Sequence, residues 1–281
     1  MIIDVHSHAW LFPNHFSDTF RQQAQDVARA DKPLDLTVTF ESYREGAREV
    51  NKSIVFGGKA KHSGLWVDDT YVAEYVATHP RDLIGFLSVD PTQENWEDEL
   101  RFGHEELGLK GIKLLPMYAG FYPNDSSLAP LWTYAVKHKL PVLLHTGTTF
   151  VAQAPIDCTL PRHIDSVATK HPDLHIILAH LSHPYEGECV AVIRKHPNVY
   201  ADISALHYRP FQFYNSLMLV QEYGVWNKLL FGSDYPFTTI NASVKGIRSL
   251  NTMLEGTALP RLNEDEIEKL IYRQSNIILG L

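Results

Sequence analysis

Apolar residues in this chain gather into short, nearly unbroken runs. They are "MIIDVH" (1–6), "KSIVFGG" (52–58), "LIGFLSV" (83–89), "KGIKLL" (110–115), "PVLLHT" (141–146), "HIILAH" (175–180), "VYADIS" (199–204) and "KLLFGSD" (228–234). Runs this short and this continuously apolar predict strands buried on both faces, as in a parallel sheet. Between them lie stretches with helical spacing, such as "DDTYVAEYVATHP", "NWEDELRFGHEELG" and "LAPLWTYAVKHK". Eight strands, each followed by a helix, predict an α/β chain folded as a (β/α)8 barrel. A doubly wound open sheet competes, but its G-x-G-x-x-G turn is missing after the first run.

Three histidines share one context, "ATHPRD", "TKHPDL" and "RKHPNV". A cationic side chain followed by Pro reads as a helix C-terminus, so His79, His171 and His196 are expected to end helices, with His138 placed similarly. One interval breaks the rhythm. Residues 9–51 are too long for a single strand-to-helix connection and predict an inserted helical segment after strand 1, a lid over the barrel mouth. A second long connection, 116–128, is rich in aromatics, Gly and Pro. The tail "NEDEIEKLIYRQSNIILGL" reads as a closing amphipathic helix and an apolar segment packed on the barrel. Without a linker in sight, residues 1–281 are expected to form one domain.

Composition narrows the function classes. A net charge of −8 with no Lys/Arg-rich block argues against nucleic acid or an anionic membrane as partner. No apolar run reaches the length of a bilayer span and no leader is read, so a soluble, cytoplasmic protein acting on a small molecule is expected. The cysteines, Cys158 and Cys189, make neither a metal pair nor a disulfide framework.

Barrel chemistry sits at the carboxyl ends of the strands. Strand one ends in His6 and continues to His8, and residues two apart on a strand share a face. Strand five ends in His145, strand six in His180 and strand eight in Asp234; strand four carries Lys113 and strand seven Asp202. Imidazoles and a carboxylate from separate strands, all at one end, make a divalent metal site the natural reading. Alternation turns Asp4 to the face of His6 and His8. A role behind the ligands and a simple backbone-bonded role both stay open for it.

"DVHSH", "LLHTG", "ILAHLSHP" and "LLFGSDYP", in this order, resemble the amidohydrolase superfamily. The resemblance is greatest to its TIM-barrel branch of aminocarboxymuconate semialdehyde decarboxylase-like metal-dependent hydrolases, and it spans essentially the whole chain. It implies one divalent ion, usually Zn2+, with Mn2+ as an alternative, held by His6, His8, His145 and Asp234. It makes His180 a catalytic histidine or one behind the ligands that orients the metal-bound water, and it suggests a homodimer or higher homo-oligomer; Asp234 can carry the water's proton as well as ligate. In other branches a strand-four lysine is carboxylated and bridges two metals. Here Lys113 stays open between that bridge, a contact to an anionic substrate group and a structural ion pair, with one metal preferred.

In the loops, Arg209, His207 and Tyr235 are candidate substrate contacts, an Arg fork being suited to a carboxylate. Phe121, Tyr122, Tyr208 and Phe237 are candidate walls, while His183 receives no role. The expected reaction is metal-dependent hydrolysis of an ester, lactone or amide by activated water. Non-oxidative decarboxylation of an aromatic or unsaturated acid is the alternative, and a non-catalytic metal-bound binding barrel the minor one. Hydrolysis is preferred because a decarboxylase requires a cationic clamp and a hydrolase does not.

Overall fold

The computed structural model describes residues 1–28, 34–47 and 50–281. Eight strands stand in one sheet in chain order: β1 (Ile2–His8), β2 (Val50–Phe56), β3 (Leu83–Ser88), β4 (Ile112–Leu114), β5 (Val142–Leu144), β6 (Ile176–Leu178), β7 (Val199–Asp202) and β8 (Leu229–Leu230). Every neighbouring pair is parallel. The sheet curls until its ends meet. Val5 N donates to Phe231 O at 2.9 Å, Asp234 N to His6 O at 2.8 Å and His8 N to Tyr235 O at 3.0 Å, which joins β1 to the segment leaving β8.

The apolar runs explain themselves through packing. On each strand, successive side chains go to opposite faces. Ile112, Leu114, Val142, Leu144, Ile176 and Leu178 join the larger core beneath the helices. Ile3, Val5, Ile54, Phe56, Phe86, Leu143, Ile177 and Leu230 form a second core inside the barrel, where Leu279 joins them. Both faces are therefore dry, and alternation is invisible in the sequence.

Helices fill the intervals: α1 (Asp18–Ala28), α2 (Phe40–Glu45), α3 (Asp69–Thr78), α4 (Trp96–Arg101), α5 (Pro116–Ala119), α6 (Ala129–His138), α7 (Pro161–Lys170), α8 (Glu186–Lys195), α9 (Pro210–Glu222), α10 (Ile240–Arg248), α11 (Glu264–Ile271) and α12 (Ser275–Ile278). His79, His171 and His196 directly follow α3, α7 and α8, and His138 ends α6, as their His-Pro or His-Lys contexts predict.

Of the interval 9–51, residues 29–33 and 48–49 lie outside the described residues, and the rest carries α1 and α2. Phe20 of α1 meets Phe150 edge-on with ring centres 5.4 Å apart, and Gln23 bonds to Gln153 at 3.1 Å, so α1 reaches the loop after β5. On the other side, Ser42 of α2 accepts from the Tyr235 hydroxyl at 3.0 Å, in the loop after β8. Both contacts are with loops at the carboxyl ends of the strands. Among the described residues, no helix is long and apolar enough to cross a membrane.

Candidate metal centre and active site

The first strand does not keep strict alternation. Asp4 pairs with Ser53 and Ser7 with Val55, so three steps along β1 answer two along β2. This bulge reverses the parity of the side chains. Ile3 and Val5 face the barrel interior below it, and His6 and His8 face inward above it. The expectation that Asp4 shares their face is thereby corrected. Its buried carboxylate lies behind the strand, accepting from Ser233 Oγ at 2.7 Å, Ser233 N at 2.9 Å, His6 N at 3.1 Å and the Tyr43 hydroxyl at 3.2 Å. It clamps β1 to the turn that delivers Asp234. Burial, only partly offset by these donors, pushes its carboxyl up to about 6.

His180 and Asp234 arrive from strand ends in backbone conformations that L-residues rarely adopt. His180, Leu181 and Ser182 have φ of 60°, 46° and 55°, and Asp234 has 67°. Such left-handed residues cost of order 1–3 kcal/mol each and persist where surrounding structure imposes them. Here they turn side chains into the mouth. Asp234 Oδ1 stands 3.3 Å from His6 Nε2 and 3.2 Å from His8 Nε2, and His180 Nε2 is 3.3 Å from His145 Nδ1. One donor atom from each of His6, His180 and Asp234 lies within 4.8 Å of the others.

These spacings suit a cation. Two donors bound to one tetrahedral ion at about 2.1 Å stand about 3.4 Å apart. The proton positions agree. Asp202 Oδ2 lies 2.8 Å from His6 Nδ1, and a carboxylate only accepts, so the His6 proton sits on Nδ1 and Nε2 is bare. The Thr148 carbonyl does the same for His145, taking the Nε2 proton at 3.1 Å and leaving Nδ1 bare towards His180. Bare acceptors turned towards one another are what a cation requires. Burial lowers His6, His8 and His180 well below the usual imidazole range and His145 to about 3, so the rings are neutral, as ligands must be. The donor set suits Zn2+ and Mn2+ alike. His8 stacks on Trp10 with ring centres 3.8 Å apart, and Trp10 is fixed by its indole N–H to Gly57 O at 2.7 Å.

Asp202, noted in the sequence without a role, is the hub of the site. While Oδ2 holds His6, Oδ1 accepts from His180 N and Ser204 N, both at 3.0 Å, and from the Ser204 hydroxyl. Close by, a side chain at Gly232 would place a Cβ 2.9 Å from that of His6, so only glycine lets β8 pass behind the ring. The sequence signal for Asp202 was the strand-end position it shares with the ligands. Tyr118, edge-on to His145 at 4.9 Å, had no such signal beyond its place in a long loop.

Lys113 is fully buried on β4, its amine without a hydrogen-bond partner among the described residues and 4.3 Å above the Phe56 ring. Burial lowers it to about 7, against the pull of Asp202 and Asp234. Burial raises Asp234 well above the usual carboxylate range while Lys113 pulls it back; a bound cation would hold it ionised. Arg209 lies at the rim, with Nη1 donating to Ala205 O at 2.8 Å and its guanidinium 4.5 Å from the Tyr208 ring. Burial, together with the Arg209 charge, lowers His183 to about 4.

The structure does not bring His207 or Tyr235 into this group. His207 Nε2 is turned to Gly232 O at 3.3 Å and its ring packs on Phe213, behind β8. Tyr235 is drawn to α2 by its hydroxyl and by Tyr43, with ring centres 5.3 Å apart. Of the wall candidates, Phe237 stands 5.8 Å from Trp10 at the rim, whereas Tyr122 packs against His163.

Similar architectures occur among solved structures. An uncharacterised TIM-barrel protein from Bordetella bronchiseptica is 18% identical with a TM-score of 0.71, the match covering 99% of this chain and 98% of that one. A probable 2-pyrone-4,6-dicarboxylic acid hydrolase from Acinetobacter baumannii, with citric acid bound, is 15% identical with a TM-score of 0.67, covering 100% and 99%. A dihydroxybenzoic acid decarboxylase from a Polaromonas species, with bound manganese and 2-nitroresorcinol, is 17% identical with a TM-score of 0.64, covering 100% and 97%. At these identities the likeness is one of fold. No curated protein sequence matches the chain. The amidohydrolase family model matches residues 3–272, which contain every donor described above, and the chain therefore belongs to the amidohydrolase family of metal-dependent enzymes.

Proposed function

We propose that this protein hydrolyses an ester, lactone or amide bond of a small, carboxylated organic substrate, with one divalent ion, Zn2+ or Mn2+, at the strand ends. His6 and Asp234 would hold the ion together with the imidazoles of His8, His145 and His180. When bound, it supplies a Lewis acid that polarises an oxygen of the substrate and acidifies water.

The observation that carries the reading is Asp234. Asp4 and Asp202 have their carboxylates filled by strand and turn donors. Asp234 instead presents Oδ1 to the centre between two imidazoles, so it is the carboxylate able to move a proton. It takes the proton of the attacking water and returns it to the departing oxygen or nitrogen. His180 stands beside that path, where its bare Nε2, when not taken by the ion, accepts a hydrogen bond from the water. Lys113 on the floor and Arg209 at the rim receive the negative groups of the substrate, and Tyr118 and Phe237 bound the space between.

A second reading, decarboxylation of an aromatic or unsaturated acid, is favoured by Lys113. An amine buried without a partner gives a carboxylate the cationic seat that such a reaction needs. The partner proposed is a small molecule, with no nucleic acid and no membrane, in a cytoplasmic setting and with self-association into a homodimer or larger homo-oligomer. Residues 1–281 are taken as one unit with 9–51 as its lid.

Incubating the metal-loaded protein with carboxylated lactones and hydroxybenzoates in H2(18)O separates the two reactions. Hydrolysis places one 18O in the product acid with no CO2. Release of CO2, with solvent hydrogen on the vacated carbon, overturns hydrolysis in favour of the carboxy-lyase.

A further inference from the structure

Ser204 follows β7 by two residues, is wholly buried, and has no part in the chemistry above. Its hydroxyl nevertheless touches the rear of two site imidazoles. It lies 2.7 Å from His180 Nδ1 and 3.2 Å from His6 Nδ1, and it bonds to Asp202 Oδ1. We propose that Ser204 is a positioning residue that fixes the imidazole tautomer of His180 and thereby keeps the centre open to a cation.

The hydrogen count leaves one arrangement. A carboxylate only accepts, so the Ser204 proton goes to Asp202 and the hydroxyl oxygen must accept from His180. The His180 proton then sits on Nδ1, and Nε2 is bare. Asp202 also takes the His180 backbone N–H and the His6 ring proton, so both rings are set from one carboxylate, one of them through the serine.

Remove the hydroxyl and the balance reverses. His180 Nδ1–H would be buried without an acceptor, which is unfavourable. The other tautomer has a partner waiting: Nε2–H would point at the bare Nδ1 of His145, 3.3 Å away. The two rings would then bond to each other, and two donor atoms would be lost to the centre. Ser204 thus decides whether His145 and His180 face a cation or each other. This inference rests on the metal reading for its consequence but not for its geometry.

The test compares wild type, Ser204→Ala and Ser204→Thr. 15N spectra of the histidine rings in metal-free protein report the tautomer, and competition against a chelator reports Zn2+ affinity. Expected are Nδ1–H at His180 in wild type, Nε2–H in Ser204→Ala with a 10–100-fold loss of affinity, and recovery of both in Ser204→Thr. Nδ1–H in Ser204→Ala, or Zn2+ held as tightly as by wild type, overturns the proposal. So does a fall in melting temperature with tautomer and affinity intact, which makes the hydroxyl a packing group only. A wild type that takes up no Zn2+ defeats the metal reading instead, and the ring spectra still decide on Ser204.

Discussion

His180 and His207 leave adjacent strands, and burial lowers both imidazoles, yet only His180 reaches the centre. Asp202 and Ser204 hold His180, whereas His207 has a backbone carbonyl and apolar rings for company. That contrast gives His207 a separate consequence. Its folded value, about 4, lies below the unfolded 6.5, so its contribution to stability is complete above 6.5 and is lost as pH falls through 4. At pH 5 the unfolded chain has taken up this proton and the native one has not, a loss of about 2 kcal/mol relative to pH 7. Urea unfolding at the two pH values should show that loss shrinking in His207→Gln, which keeps a donor for Gly232 O. An equal loss in both proteins would place the acid sensitivity elsewhere.

At the scale of elements, the strand ends were legible in the sequence and the paths between them were not. Buried runs and His-Pro stops mark where each strand and helix must lie, because burial and chain reversal act locally. The bulge in β1 has no such mark. It is imposed by partners distant in sequence, β2 and the turn after β8, so alternation misplaced Asp4. Loop residues were least legible, since His207 and Tyr235 answer to neighbours brought there by the fold. The insertion illustrates the same dependence. Tyr43 of α2 donates to Asp4 and bonds to Ser53, bracing the back of the strand that carries His6 and His8. Tyr43→Phe should cost about 1–3 kcal/mol and lower the melting temperature by several degrees. Activity per bound metal should change little, because Asp4 keeps its Ser233 and His6 donors. An unaltered melting curve would show that the brace is not needed.

In the molecule as a whole, the proposed ligands are unevenly distributed. His6 and His8 belong to the first strand and Asp234 to the segment beyond the last, and these meet where the sheet closes on itself. His8 and Asp234 are 226 positions apart. An ion gripping both would staple the seam. Loading should therefore raise the unfolding temperature in proportion to the logarithm of free metal above the dissociation constant, and a chelator should reverse it.

The same seam sets an order of events in time. A chain that has not yet brought β1 and β8 together holds its donors in separate groups, His6 with His8 and His145 with His180, each too few to retain an ion tightly. Uptake of metal should thus report the closing of that seam. In refolding followed at once by far-ultraviolet dichroism and by a zinc indicator, helix signal should return first and zinc capture should lag behind it. Simultaneous recovery would mean that the two ends of the chain find each other before the middle is built.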